Sequence, residues 1–483
     1  MQEVVIYGAG IRGRRVCSLL KQLHIKITAL LDSSPAKIGS YIEDMIIEPP
    51  ERIKEHPEAA VYFTLADENI RKEARTYVEQ LLGGRILNEL SYNSLILYAF
   101  NTSPVINDYL SSIHPCRHKS PAILFDCYNG LILGGVETWT ISLCSSLIQN
   151  GFDNVYIISD NGAYDIPTIL SSHVIATKID HNNRFSVEAV IDIIRIIAKN
   201  LPCKIITSTT NEIMLAACLA KKAFGADVGI FSVVHNSNDE AYNNYYDFKE
   251  YLDQYVAVSK YIYNQLIQQG VMKKNIYYMT LPFPCTEILS RQYSCNPLSP
   301  LRIGYAGRLD GMEGSQKRLD LLLLVAQELL RRNVNYIMSF AGDGEARDRV
   351  QAYINEFSLA DNVQLLGTLD RYSELPEFWR KQDVCISMSD YEGRCLSIVE
   401  AMGNGAVPVV TDVSGVQDDI VNGINGYIVP LGDYQLAANR IEHLYQHREK
   451  LREMGQRAHD EVYPKSLMRT HMDFWVQILR INE

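Results

Sequence analysis

Two carboxylates, Glu392 and Glu400, stand eight positions apart. The first lies in a loop after the apolar run 383–389, the second in a segment of helical period. Paired acids can act as general acid and base on a glycosidic bond, or accept hydrogen bonds from hydroxyl groups. Eight helical residues rise about 12 Å, more than the roughly 5–9.5 Å between glycosidase carboxyls, so acid–base pairing is disfavoured. A solvated helix face is disfavoured too, because Leu396, Ile398, Val399 and Met402 surround Glu400. Upstream, Arg308 and Lys317 follow the apolar run 301–306 across Gly307 and a glycine-rich loop. Cations so placed can hold an oxyanion. Gly8-Ala-Gly10-Ile-Arg-Gly13 joins an apolar run to a helical one, and Asp32 ends the next run. That pattern suits a dinucleotide, with pyrophosphate at the helix N-terminus and Asp32 on a ribose hydroxyl. The same turn also occurs with no dinucleotide, and both readings stay open. Gly134 and Gly135 open a further helix with backbone that a ligand can approach. His235 ends an apolar run, as a ligand-facing residue or as a hydrogen-bonded core histidine.

The elements that must position these residues alternate short apolar runs with helical periods. This is the pattern of βαβ units and parallel sheets, and it predicts an α/β chain of three Rossmann-like domains. Their predicted bounds are 1–118, 119–298 and 299–483. A linker is expected over 101–120, where Pro104 and Pro115 break the pattern. The stretch 466–481 has apolar residues at helical spacing and reads as a closing helix. A membrane-surface helix is the weaker reading, since it has few basic residues.

Composition excludes several classes. The 483 residues carry a net charge of −11, which argues against a general nucleic-acid binder. Ten cysteines are scattered without a Cys-x-x-Cys pair, so buried free thiols are expected and a metal site is not. The fragment His114-Pro-Cys116-Arg-His118 lies in the expected linker and is not taken as a ligand set. No basic stretch precedes an apolar one at the start, and no apolar run reaches the roughly 18 residues of a membrane span. The expected location is the cytoplasm, with at most peripheral contact at the inner membrane face.

Within the third block, Gly307-Arg308, Lys317, Glu392-(seven residues)-Glu400, Val407-Pro-Val-Val-Thr-Asp412, Gly415 and Asn422-Gly through Gly426-Tyr-Ile-Val-Pro430 occur in order. Gly134-Gly135-Val-Glu137, His235 and Val256-Ala-Val-Ser259 precede them. Together they resemble the family 4 glycosyltransferases, so the last two domains are expected to form a GT-B body, with the acceptor side first and the donor side second. The resemblance implies transfer of a hexose-type sugar from a nucleotide-sugar, with retention and with no metal or other cofactor. The acceptor would be a glycan, a lipid-linked glycan or a protein, in polysaccharide or glycoconjugate biosynthesis. It implies that Arg308 and Lys317 steady the leaving diphosphate and that the backbone of Cys395, Leu396 and Ser397 donates N–H groups. Glu400 would take ribose hydroxyls and Glu392 would face the donor sugar. His235 joins the catalytic set, and Gly134, Gly135 and Gly307 the donor-binding set. The chain departs from the family in a longer Arg308–Lys317 spacing and in Arg318, where glycine commonly stands, so either Lys317 or Arg318 is the phosphate-binding cation. Arg394 and Cys395 replace an aromatic and a small residue. The segment Leu31–Gly39 resembles small nucleotide-binding domains of sugar-modifying enzymes, which makes NAD or a nucleotide-sugar the candidate ligand of the first domain. A non-catalytic sensor or partner subunit, and an NAD-dependent nucleotide-sugar enzyme, are the alternatives. The residues do not set the oligomeric state.

Overall fold

The computed structural model describes residues 3–131, 135–160, 162, 166–179, 181, 185–235, 246–283, 285–289, 291, 293, 296, 298–371 and 373–480. Its strands belong to three sheets, each parallel or nearly so. The chain divides into two compact units, 1–133 with 147–232 and 243–253, and 134–146 with 233–242 and 254–483.

The first unit opens on a six-stranded sheet. From one edge its strands are Tyr41–Ile42, Met45–Glu48, Ala29–Leu31, Val4–Tyr7, Ala60–Phe63 and Asn88–Glu89, with one antiparallel pair at the first edge. Val4 to Tyr7 are all buried, as a central strand covered on both faces requires. Helix Ile11–Gln22 packs so closely on the turn before it that a Cβ on Gly13 would lie 2.0 Å from the Gly8 carbonyl oxygen. Gly13 is therefore fixed by packing.

The expected linker over 101–120 is instead ordered. Helices Tyr92–Thr102 and Pro104–Ser112 meet at Ser103, and a strand begins at Arg117. Ser103 is buried; its hydroxyl donates to the Leu23 carbonyl (2.8 Å) and accepts from Ile106 N (3.4 Å). Pro104 occupies the first helical position, where the missing N–H costs nothing. The proline starts a helix rather than breaking one.

In the second sheet, Val228–Val234, Leu201–Thr207, Arg117–Cys127, Val155–Ser159 and Val174–Ala176 lie side by side in parallel. The chain order reverses between Arg117–Cys127 and Leu201–Thr207, and Asp126 sits there, buried. Asn211 Nδ2 donates to both of its oxygens (3.0 and 2.9 Å), and Tyr128 N adds a third bond (3.0 Å). Burial still pushes this carboxyl up, to about 6 from 3.8. The folded protein then holds a proton that the unfolded chain has released, so stability falls as pH rises from about 4 to about 6 and is level above that. Asp126→Asn should gain about 2–3 kcal/mol on the wild type between pH 4 and pH 7. Urea unfolding at the two pH values measures this, and an unchanged difference would place the titration elsewhere.

The second unit holds strands Gln254–Ala257 and Ile276–Tyr278, paired in parallel, and a six-stranded parallel sheet. That sheet runs Val363–Gly367, Tyr336–Ala341, Leu301–Ala306, Val384–Ser387, Val407–Thr411 and Tyr427–Val429. In chain order this is 3-2-1-4-5-6, the doubly wound arrangement, whose ligand crevice opens where the order reverses. The crevice therefore lies beyond the ends of Leu301–Ala306 and Val384–Ser387. Helices Glu449–Ser466 and Met468–Arg480 end the described chain. Met472, Trp475, Ile478 and Leu479 are buried, so the last helix has a buried apolar face. Among the described residues, no helix is long and apolar enough to cross a membrane.

Candidate functional site

Both loops at the reversal point of the third sheet are pinned by backbone contacts. After strand Leu301–Ala306, Gly307 N donates to the Ala341 carbonyl (3.0 Å) and Leu309 N to that of Asp343 (2.9 Å). Gly342 has φ +144°, and a Cβ there would sit 1.9 Å from the Gly307 oxygen. Only glycine fits this crossing, which holds Gly307 and Arg308 at the strand end. The Arg308 side chain is largely exposed, with Asp310 (3.2 Å) and Gln316 Oε1 (3.3 Å) as its neighbours.

Lys317 and Arg318, adjacent in sequence, take different surroundings. Lys317 Nζ reaches Glu392 Oε1 at 2.7 Å, with side chains 15% and 8% exposed. Burial alone would lower the ammonium's pKa; Glu392, with Cys395 and Tyr305, outweighs burial and holds it above its ordinary value. Gln316 Nε2 braces the same loop through the Tyr391 carbonyl (3.1 Å) and Glu392 Oε2 (3.4 Å). Arg318, at φ +48° just before helix Leu319–Arg331, pairs with Asp320 (2.9 Å) and Asp390 (3.1 Å). The lysine thus belongs to the Glu392 side of the crevice, and the arginine is matched by two acids.

The Glu392 loop is buttressed from behind. Thr411 Oγ1 donates to the Ser389 carbonyl (2.6 Å), and Ser414 Oγ to that of Gly393 (3.3 Å). Arg394 turns inward onto Asp419 with two bonds of 3.0 and 2.8 Å, both side chains sealed from solvent. Its role is to anchor the loop. Cys395 precedes helix Leu396–Gly403, whose N-terminus has no side-chain cap. The Cys395 thiol lies 3.2 Å from Ser397 Oγ. A Cβ on Gly135 would meet Leu396 Cδ1 at 3.9 Å, so the start of helix Gly135–Gln149 lies against this helix start. Gly134 lies outside the described residues.

Glu400 is buried one helical turn on. Burial pushes its carboxyl up, and Arg371 opposes that at 2.8 Å from Oε1. Arg371 follows strand Val363–Gly367 and was not singled out from the sequence. Nothing local marks it; only the strand order brings the end of that strand toward helix Leu396–Gly403.

His235 stands at the end of its strand and packs edge-on against Trp139, ring centroids 5.0 Å apart. Burial lowers its pKa to about 3, which keeps the imidazole neutral at physiological pH. Trp139 and Trp475 both point their indole N–H groups at His471 Nε2, each at 3.0 Å. That nitrogen must therefore accept, so His471 is neutral as well, and burial again lowers it to about 3. Trp139, His471 and Trp475 lie in helices with no local pattern that marks them, and they form the wall behind His235.

In the first sheet, Asp32 is engaged by its own chain. Oδ2 accepts from Ala9 N (2.7 Å) and Lys37 Nζ (3.0 Å), and Oδ1 from Ser34 N (2.8 Å). Gly8, at φ +108°, passes its carbonyl to Thr64 Oγ1 (2.8 Å). Gly10 precedes the helix at ordinary negative φ, and a Cβ on it would meet nothing within 4 Å.

Residues 296–461 match the family described as glycosyl transferases group 1. The poly(ribitol-phosphate) alpha-N-acetylglucosaminyltransferase of Staphylococcus aureus is 27% identical over 164 residues, 34% of this chain and 32% of that protein. The N-acetyl-alpha-D-glucosaminyl L-malate synthase of Bacillus anthracis is 26% identical over 270 residues, 52% of this chain and 67% of that protein. The match thus spans about a third of the first relative's length. The crystal structure of Anabaena Alr3699/HepE in complex with UDP and glucose superimposes with a TM-score of 0.60 at 16% identity, over 74% of this chain and 99% of that one. The loops carrying Lys317, Glu392 and Glu400 therefore lie within the stretch that matches the glycosyl transferases group 1 model, in an α/β chain of the GT-B glycosyltransferase fold.

Proposed function

We propose that the protein is a retaining family 4 glycosyltransferase that moves a hexose-type sugar from a nucleotide-sugar to a glycan, lipid-linked or protein acceptor. The observation that carries this reading is the buried Lys317–Glu392 pair at the reversal point of the third sheet, with Glu400 on the helix that follows. The leaving nucleoside diphosphate gains negative charge as the glycosidic bond breaks. A preorganised cation and helix-start N–H groups lower that barrier without reorganising. Lys317 supplies the cation, Arg308 at the mouth a second one, and the backbone of Cys395 to Ser397 the N–H groups. Glu392 faces the sugar, Glu400 accepts the ribose hydroxyls, and neutral His235 offers a hydrogen bond rather than a charge. In this reading transfer needs no metal.

The test is to supply α-linked nucleotide-sugars with glycan, lipid-linked and peptide acceptors and to read the product anomer by NMR. An α-linked product supports the reading. A β-linked product contradicts retention, and release of free sugar regardless of acceptor contradicts transfer.

A nucleotide ligand, NAD or a nucleotide-sugar, is proposed for the Gly8–Gly13 turn as well. Gly10 favours it, because neither φ nor any neighbour demands glycine there, whereas a ligand lying close to the backbone would. Dialysis against NAD and against UDP-glucose, with Gly10→Val as control, tests this; binding equal in both proteins would rule it out.

A further inference from the structure

We propose that Arg371 is a positioning residue of the donor site, holding the Glu400 carboxylate anionic and oriented to receive the ribose hydroxyls of a nucleotide donor; this rests on the reading of Glu400 given above. Three observations lead there. Glu400 is 6% exposed, and its Oε1 is shut off from solvent without an aligned hydrogen bond. Arg371 Nη2 lies 2.8 Å from that same oxygen, so the contact is an ion pair whose hydrogen-bonding capacity is unspent. Among the described residues, no second ion pair reaches this carboxylate.

The surroundings give Glu400 little other help. Strand Val384–Ser387 brings the Cys385 thiol, a neutral group whose own pKa is raised by burial. Helices Glu374–Lys381 and Glu449–Ser466 and strand Val407–Thr411 also pack on helix Leu396–Gly403. Among their described residues, none acts electrostatically on the carboxylate. Asn404 Nδ2 bonds the Glu400 backbone carbonyl (2.9 Å), not the side chain.

A carboxylate buried with no cation beside it takes up a proton, and a protonated carboxyl offers a donor where the ribose hydroxyls need acceptors. A guanidinium stays charged at every physiological pH. Arg371 therefore keeps Glu400 ready as an acceptor across that range, and donor affinity should be level with pH.

The experiment compares wild type, Arg371→Gln and Arg371→Lys at pH 6.0, 7.0 and 8.5. Affinities for UDP, GDP, ADP and CDP are read by calorimetry, and the Glu400 carboxyl is followed by carbon-13 NMR. The expected result is level affinity in the wild type. In Arg371→Gln, affinity at pH 6.0 is at least tenfold weaker than at pH 8.5, and the Glu400 midpoint moves up. Arg371→Lys restores most of the level profile. A Glu400 midpoint that does not move in Arg371→Gln overturns the proposal, as does an affinity loss equal at all three pH values. If the wild type binds none of the four nucleotides, the donor reading fails, while the NMR titration still decides whether Arg371 sets the Glu400 charge.

Discussion

Glu392→Gln should lower sugar transfer about 10²–10³-fold while the variant binds free nucleoside diphosphate more tightly than the wild type. The two effects oppose each other because, in the proposed function, Glu392 does two things. It neutralises Lys317 at 2.7 Å, and both groups are largely withdrawn from water. A diphosphate arriving at Lys317 must displace or share that partner and tolerate its negative charge. Glutamine keeps the shape and one acceptor for the ammonium but removes the repulsion, so the product nucleotide gains affinity. Transfer falls because the charge facing the donor sugar is gone when the anomeric carbon becomes electron-poor. Calorimetry with UDP, GDP and ADP, beside nucleotide release from the matching sugars, reads both. A variant that lost diphosphate binding in step with transfer would make Glu392 a general scaffold for the loop.

The second large effect concerns stability. Asp383→Ala should cost about 3–5 kcal/mol. Asp383 immediately precedes strand Val384–Ser387, which leads to the Glu392 loop, and is fully buried. Its Oδ2 accepts Arg302 N (3.0 Å), and its Oδ1 lies 3.3 Å from Arg291 Nη2. The Arg291 side chain is 1% exposed and also ties the Gln382 (2.7 Å) and Asn404 (3.2 Å) carbonyls. Alanine leaves that guanidinium buried without a counter-charge and leaves the Arg302 amide without its acceptor. At roughly 2–4 °C per kcal/mol for a unit of this size, the transition should drop by about 6–20 °C. Thermal unfolding followed by circular dichroism is the check, and a loss under about 1 kcal/mol would mean the pair is fully offset by its desolvation cost.

Much of the third sheet was legible because each buried parallel strand reads as a continuous apolar run, and because Glu392 and Glu400 keep their spacing across a loop and a helix start. Which of the two adjacent cations meets Glu392 was not legible. The glycine-rich insertion after Arg308 blurs the register, and only the fold shows Lys317 on Glu392 while Arg318 is matched by Asp320 and Asp390. Arg394 stood out in the sequence only as a departure from the family pattern; Asp419, 25 positions away, turns it inward. Arg371 and the His471 wall depend on strand order and on the return of the last helix, neither of which leaves a local pattern. Pro104 misled for the opposite reason, since a helix-starting proline and a linker proline look alike until the capping Ser103 is seen in place.

The most direct measurement is nucleotide release by the purified protein from a panel of UDP-, GDP-, ADP- and CMP-sugars, in parallel with Glu392→Gln and Lys317→Met. Release from one donor class, nearly abolished in both variants, is the expected result. Release unchanged in both variants would move the chemistry away from the Lys317–Glu392 crevice, and neither binding nor release from any donor would contradict the assignment of this crevice as a donor site.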